Sequence, residues 1–391
     1  MKVLITTDLY TTATNGVVTS VKNLVEVLKA RGHQVRILTL ADNSHSYRIG
    51  NVYYIRSLPI GFIYPDIRMP TSYRHRLIKE LIKWQPDVIH SQCEFFTYQY
   101  ASFIGKKTGA PVVHTYHTLY EQYAAYLLRI KGVGEKAVGK FSRIRLKKAD
   151  RIIAPTRKVE NVLRSYGIEV PISVVPSGIR LEQHKGRLTP EQRAKGRKAL
   201  GIDPEAPVLV SVGRVGNEKK LDDLIRYFAK VSPKREDLRF LIVGGGPAKE
   251  SLEKLAADLD VADKVIFAGM VAPDKVQEYY QLGDVFVCAS TSETQGLTYV
   301  EASANGLPLL CRKDPCLLDV MVVGENGYEF TDAASFREGL DKILADEQWR
   351  KQAGERSRQI AAGFSKEAFG AAVEEVYRSV LKTPVASAER K

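Results

Sequence analysis

Cysteine is scarce in this 391-residue chain: Cys93, Cys288, Cys311 and Cys316 are the whole set, and only the last two lie close together. That count excludes a disulfide scaffold and offers no spacing for a zinc module. The thiols are expected to be reduced and mostly buried. No run of about 18 apolar residues occurs, so a membrane-spanning helix is not expected. The opening MKVLITTDLY lacks the cationic lead, apolar stretch and small-residue cleavage site of a secretory signal, and a cytosolic address is expected. Acidic residues are scarce in one half only. Residues 1–180 hold 12 Asp+Glu against 27 Lys+Arg, and the remainder holds 33 against 31. The net charge of +13 therefore sits in the N-terminal half, which is expected to meet something anionic: a membrane surface, nucleic acid or a phosphorylated acceptor.

What is present reads as an α/β protein. The length exceeds the roughly 250–300 residues at which one core divides, so two domains are expected. Short Val- and Ile-rich runs (KVLITT, QVRILTL, DVIHSQ, PVVHTYH, RIIAPT, ISVVPSG) alternate with amphipathic stretches such as VKNLVEVLKARG, the pattern of strand-helix-strand units with a parallel sheet. The pattern restarts with PVLVSVGRV, LRFLIVGGG, KVIFAGMV, DVFVCAS and PLLC. The expected organisation is a doubly wound domain over 1–180, a polar linker over 181–197 and a second doubly wound domain over 198–364. A helix over 365–382 packs back on the first domain, and a disordered tail covers 383–391. Two such domains in tandem are expected to present their strand ends, and hence their ligand sites, to one cleft.

In SVGRVGNEKK a strand ends in a glycine turn, and Arg214 and Lys219 stand in the loop before a helix. Two cations beside backbone amides suit a diphosphate, although loops above sheets also carry such residues for solvation. In STSETQGLTYVEASANGLPLL, Glu293 and Glu301 flank Gly296 with seven residues between them. A helix beginning near Gly296 makes an anion site of the amides of Leu297 and Thr298, with the glycine admitting a phosphate to the backbone. Glu293 then stands at the mouth and Glu301 on the second turn, where a carboxylate can accept from both hydroxyls of a ribose. The pair Asp258 and Asp260 falls at a helix end and reads as helix punctuation. HTYHTLYEQY places His114 and His117 at a strand end with no third metal ligand nearby.

TNGVVTS, GRVGNEK, FAGMV, SETQGLTYVEA and GENGYEF together resemble the retaining glycosyltransferases of the GT-B type, the large family marked by Glu, seven residues, Glu. The resemblance covers essentially the whole chain. It implies transfer of a sugar from a nucleotide donor with retention at the anomeric carbon, with no metal or other cofactor required. Carried onto these residues, it implies that Gly16, Arg214 and Lys219 grip the diphosphate. Glu293 contacts the donor sugar, assisted by backbone at Gly296, Leu297 and Thr298; Glu301 holds the ribose; and the base lies near Val271. His117 touches donor sugar or acceptor hydroxyl. NGVVTS, HTYHTLYEQY and SETQGLTYVEA are most similar to the bacterial diacylglycerol glucosyltransferases, which make monoglucosyldiacylglycerol from UDP-glucose. Where many relatives carry paired glycines and an aromatic residue, this chain has Asn15-Gly16 and Thr294-Gln295.

A membrane surface is also implied by charge. Arg129, Lys131, Lys136, Lys140, Arg143, Arg145, Lys147 and Lys148 face Glu135 alone, and Tyr120, Tyr123, Tyr126, Leu127 and Leu128 lie just upstream. Each basic group near an anionic leaflet contributes about 1 kcal/mol. YRHRLIKELIKW is a second candidate, although a crossover helix must bury its apolar face on its own sheet. The expected partners are UDP-glucose, diacylglycerol and anionic membrane lipids, with the protein peripheral on the inner face of the cell membrane. An alternative acceptor is phosphatidylinositol or a soluble sugar or polyol phosphate. A non-catalytic nucleic-acid-binding protein is the alternative of another class, but no helix-turn-helix, zinc module or RNA-binding aromatic signature supports a nucleic-acid partner.

Overall fold

The computed structural model describes residues 1–10, 16–43, 45–60, 68–118 and 133–382, with backbone alone at 133–136. The chain forms two compact units, one of Met1–Gly178 joined by the chain from Lys366 on, the other of Ile179–Ser365. The tail 383–391, expected to be disordered, lies outside the described residues.

In the first unit the strands are β1 (Lys2–Thr6), β2 (Gln34–Leu40), β3 (Tyr47–Ile49), β4 (Val52–Ile55), β5 (Ser57–Pro59), β6 (Arg68–Pro70), β7 (Val88–Ser91), β8 (Val112–Thr115), β9 (Arg151–Ala154) and β10 (Ile172–Val174). Eight of them form one sheet in the order β10-β9-β8-β7-β1-β2-β4-β3, and β5 with β6 makes a separate antiparallel pair. Only the edge strand β3 runs antiparallel to its neighbour within the large sheet. The central strands are apolar on successive residues because helices cover both faces. On one face lie α2 (Arg76–Trp84), α3 (Phe96–Thr108), α4 (Val133–Leu146) and α5 (Arg157–Ser165), which supply Leu77, Ile78, Leu81, Ile104, Leu146 and Leu163 to the core. The apolar side of α2 is thus spent on its own sheet. On the other face α1 (Gly16–Ala30) buries Val21, Leu24, Val25 and Leu28.

The second unit repeats the plan with β11 (Val208–Val212), β12 (Arg239–Val243), β13 (Val265–Gly269), β14 (Val285–Cys288), β15 (Leu309–Arg312) and β16 (Gly327–Phe330), ordered β13-β12-β11-β14-β15-β16 and parallel throughout. Its helices are α6 (Pro190–Ala199), α7 (Leu221–Val231), α8 (Lys249–Asp258), α9 (Val276–Leu282), α10 (Leu297–Ala304), α11 (Ala333–Ala345) and α12 (Glu347–Ala362). Phe228 of α7 and Leu340 of α11 fill one face, and Tyr280 of α9 and Val300 of α10 the other.

Two sequence expectations are corrected. The stretch 181–197 is not a linker: a 3-10 turn covers Leu181–His184, and Thr189 opens α6 with a reciprocal capping box to Gln192. Its polarity misleads because the charge is used internally. Arg197 is 1% exposed, yet its guanidinium donates to Asp284 at 2.8 Å and to the carbonyls of Leu282, Pro204 and Ala206. The strands β3 to β6 and β16 were not among those expected, since three or four residues of mixed polarity give no usable period.

The final helix, α13 (Lys366–Lys382), belongs to the first unit and completes its second face with Phe369, Val373, Val376, Tyr377 and Val380. Each such buried side chain contributes about 1.5–3 kcal/mol. Gly370 packs so tightly on Val27 that a Cβ would stand 2.3 Å from its Cγ1. Glu374, 3% exposed, accepts from Arg31 and from Arg378, with His33 at 3.4 Å. The Arg31 hydrogen bond is the main cause that holds its carboxyl down to about 2, against the opposing effect of burial. A folded pKa below the unfolded value contributes stability above the unfolded pKa, and that contribution fades as pH falls through the folded one. Glu374→Gln is therefore expected to lose about 1–3 kcal/mol at neutral pH. In urea unfolding, the gap to wild type should close between about pH 4.5 and about pH 2.

Candidate active site

Parallel strands deliver all their carboxyl ends to one edge of a sheet, and a crevice opens where successive connections leave for opposite faces. In the second unit that point lies between β11 and β14, which are neighbours although β12 and β13 lie between them in sequence. The loop after β11 carries Arg214 and Lys219, and the loop after β14 carries Glu293. The two loops meet there: Lys219 Nζ donates to Glu293 Oε1 at 2.6 Å, and Ser292 Oγ donates to the carbonyl of Glu218 at 3.3 Å. The lysine side chain remains 30% exposed, so this ion pair is worth about 0–1 kcal/mol and an incoming anion can compete for the ammonium. Arg214 is half-exposed, its guanidinium 3.8 Å from Glu218.

Glycine makes this edge compact. A Cβ at Gly244, which has φ +135, would stand 1.8 Å from the carbonyl oxygen of Gly213, so the loops after β11 and β12 touch backbone to backbone. Gly296 adopts φ 71, and a Cβ there would strike the ring of Tyr299 at 2.3 Å. The visible requirement for this glycine is the Tyr299 ring together with its left-handed backbone. Helix α10 begins at the next residue, so the amides of Leu297 and Thr298 precede its first intrahelical bond.

Glu301 sits one turn further along α10, half-buried, where Tyr280 donates to its Oε2 at 2.8 Å. Burial pushes its carboxyl up to about 7, and the tyrosine hydrogen bond opposes that shift. Asn305 closes the helix, donating to the Glu301 carbonyl at 2.9 Å, with His184 Nδ1 also at 2.9 Å. Val271 follows β13, half-buried against the core, beside Met270, which is 79% exposed. Asp258 pairs with Lys254 at the end of α8 and Asp260 has φ 54, so both serve the helix terminus.

In the first unit the corresponding switch point lies between β1 and β7. Gly16 is the first residue of α1. His117 follows β8, half-buried, with Nε2 2.7 Å from Gln92 Oε1; burial, and then His114, push its imidazole down to about 3. His114 is fully buried, 3.2 Å from Glu94. Asp8 accepts from the Thr97 amide at 2.9 Å, and burial raises its carboxyl. Among the described residues no cluster of three or more His, Cys, Asp or Glu side chains is placed to hold a metal ion. Cys288, Cys311 and Cys316 are buried, Cys93 is half-buried, and none of the four is in a disulfide.

Lys140 and Arg143 lie exposed on α4 and Lys147 in the turn that follows it, near Ile144, which is 49% exposed. Tyr120, Tyr123 and Arg129, and the side chain of Lys136, lie outside the described residues. No described helix is long and apolar enough to cross a membrane. Sequence reasoning did not find Tyr280, Gln92, Glu94 or Asn305, because a lone Tyr, Gln, Glu or Asn carries no spacing signal. Gln92 and Glu94 do, however, flank the end of a recognisable strand.

Comparison with known proteins places these features in a family. Residues 14–183 match the model of Glycosyltransferase Family 4, and residues 192–360 match that of Glycosyl transferases group 1. The chain is 33% identical to alpha-monoglucosyldiacylglycerol synthase of Streptococcus pneumoniae over 319 residues, 81% of this chain and 72% of that one. It is 29% identical to the enzyme of that name from Acholeplasma laidlawii over 97% of this chain and 98% of the other. Anabaena Alr3699/HepE in complex with UDP-glucose superposes with a TM-score of 0.74 at 17% identity, covering 97% of this chain and 100% of that chain. Sucrose-phosphate synthase from Thermosynechococcus elongatus gives 0.73 at 20% identity over 97% and 98%. Sequence relatives and structural neighbours agree with the two Rossmann-like sheets in hand, and the chain belongs to the group 1 glycosyltransferases, enzymes of GT-B fold that transfer sugars.

Proposed function

We propose that this glycosyltransferase moves an α-glucosyl group from UDP-glucose to the 3-hydroxyl of 1,2-diacylglycerol at a membrane surface, forming monoglucosyldiacylglycerol with retention. The observation that carries the reading is the meeting of Lys219 and Glu293 at the switch point of the second sheet, with Arg214 in the same loop as Lys219, ahead of the amides that open α10. The two relatives bearing the monoglucosyldiacylglycerol synthase name support the acceptor.

Arg214 and Lys219 hold the diphosphate, joined by the amides of Leu297 and Thr298. Lys219 passes from Glu293 to the phosphate, which frees that carboxylate for hydroxyls of the donor sugar. Glu301 accepts from the ribose, and the base lies at Val271. As the bond from the anomeric carbon to the phosphate oxygen breaks, the acceptor oxygen bonds to the same face of that carbon. The acceptor's proton passes to the departing phosphate oxygen, so no side-chain base is required. Fixed cations stabilise the charge that develops on the leaving group. The exposed basic side of α4 faces anionic lipid.

The direct test supplies vesicles of diacylglycerol and anionic lipid with UDP-glucose and identifies the product by mass spectrometry. Parallel samples carry phosphatidylinositol or an inositol phosphate, since relatives named D-inositol 3-phosphate glycosyltransferase also match. Absence of a glucosylated diglyceride would overturn the reading. Replacing both Arg214 and Lys219 by Ala should lower kcat/KM by about a thousandfold or more, each cation supplying several kcal/mol to the leaving group. Full retained activity would refute the clamp.

Ribose hydroxyls donate, so they bind ionised Glu301, whose carboxyl loses its proton near pH 7 in the unliganded protein. UDP-glucose affinity by calorimetry should therefore be about tenfold weaker at pH 6 than at pH 8. Glu301→Gln should flatten that profile. Changing Lys140, Arg143 and Lys147 together to Ser should weaken partitioning to anionic vesicles by about 3 kcal/mol at low salt. Turnover of a short-chain, monomeric diglyceride should be unaffected, and unchanged sedimentation would assign the patch to solvation alone.

A further inference from the structure

Tyr280 is placed to govern the charge on Glu301. Its ring lies in the core of the second unit, 0% exposed and tilted 42° against Phe286 with centroids 6.1 Å apart, so packing fixes where the hydroxyl stands. That hydroxyl donates to Glu301 Oε2 at 2.8 Å and lies 3.5 Å from the carbonyl of Thr298, one turn back along α10. Burial, and then the carboxylate itself, push the phenol's pKa well up, so the hydroxyl keeps its hydrogen. The bond uses Oε2 and leaves Oε1.

The charged groups around α10 are engaged elsewhere. The helix packs on α12, on β15 and on the turn Leu181–His184. His184 is bonded to Asn305, and burial pushes its imidazole down, so it is neutral near pH 7. Arg358 of α12 donates to Glu355, burial keeps the Cys311 thiol of β15 protonated, and on α9 Lys275 pairs with Glu278. What sets the state of Glu301 is therefore burial, which favours the acid, and the Tyr280 hydrogen bond, which opposes it.

On the reading that Glu301 accepts from the ribose, we infer that Tyr280 is a positioning residue for the donor: its hydroxyl keeps the Glu301 carboxylate ionised and holds Oε2, leaving Oε1 to the ribose hydroxyls. A phenol both donates and accepts, so the bond reverses when the carboxyl takes a proton. The acid O–H then donates to the phenol oxygen, whose own hydrogen turns to the Thr298 carbonyl. In that state the carboxyl is a donor turned inward, and its proton leaves to solvent as the nucleotide sugar binds.

Glutamate labelled with 13C at the side-chain carboxyl, with Glu301 assigned as the signal absent from Glu301→Gln, reports this titration without ligand. Wild type is expected to titrate at about 7, and Tyr280→Phe, which removes the donor and keeps the ring, about one pH unit higher. By calorimetry the same variant should bind UDP-glucose about fivefold more weakly than wild type at pH 7, and within about twofold of it at pH 8.5, where both proteins hold the carboxylate ionised. A merely structural defect would cost the same at both pH values. In Glu301→Gln protein, Tyr280→Phe should have no further effect on affinity. If Tyr280→Phe fails to fold, wild type still decides: with tyrosine labelled at Cζ, the signal displaced in Glu301→Gln should titrate together with the Glu301 carboxyl as the bond reverses. An unchanged Glu301 midpoint in Tyr280→Phe, an equal loss of affinity at both pH values, or a tyrosine signal indifferent to the Glu301 titration overturns the inference. A shifted midpoint with UDP-glucose affinity insensitive to Glu301→Gln would sink the ribose reading and leave the hold of Tyr280 on Glu301 standing.

Discussion

A parallel strand can reach its neighbour only through a crossover, and that constraint determines where chemistry can occur in this molecule. Every strand of the second sheet points its carboxyl end the same way, so the loops that follow them share one edge. Between β11 and β14 the connections leave for opposite faces, the place where such sheets bind their ligands. Lys219 and Glu293, 74 residues apart in sequence, come within 2.6 Å there. The same rule puts Gln92 beside Thr6 at the boundary of β7 and β1 in the first sheet.

The crowding of that edge explains its glycines. Carbonyl oxygens of one loop lie where a side chain of the next would begin, as Gly244 against Gly213 shows. Backbone amides are thereby brought close to one another without side chains in the way, which suits a ligand whose charge is spread over several phosphate oxygens. Gly296 differs in kind. The sequence alone suggested an opening for phosphate, but the ring of Tyr299 occupies that side, and the left-handed turn is what directs Leu297 and Thr298 into the start of α10.

Much of this is legible in the sequence. Long apolar runs such as QVRILTL and LRFLIV announce buried parallel strands, and their alternation with helices gives two doubly wound units. Motif order gave Arg214, Lys219, Glu293 and Glu301 as candidates, and the structure gathers all four on one unit. Edge strands of three or four residues were not legible, since period two cannot be read over so short a span. Nor was α6, because buried Arg197 and a disordered linker's arginine look alike until Asp284 and three carbonyls are seen around the guanidinium. Tyr280 and Gln92 were invisible for a related reason: each matters only through one partner contributed by a different element.

The two carboxylates that mark the family motif occupy different electrostatic settings. Glu293 is held by an ammonium in a half-open loop, where the ionised form is matched by a charge that an anion can draw away. Glu301 accepts from the phenol of Tyr280, and burial leaves it close to half-protonated near neutral pH. A group in the first setting responds to the arrival of a diphosphate. One in the second responds to the arrival of hydroxyl donors, which return the hydrogen bonds that water no longer supplies. Seven residues along one helix start thus separate a carboxylate governed by charge from one governed by desolvation. A nucleotide sugar is a ligand that presents phosphate, sugar hydroxyls and ribose hydroxyls within one molecule.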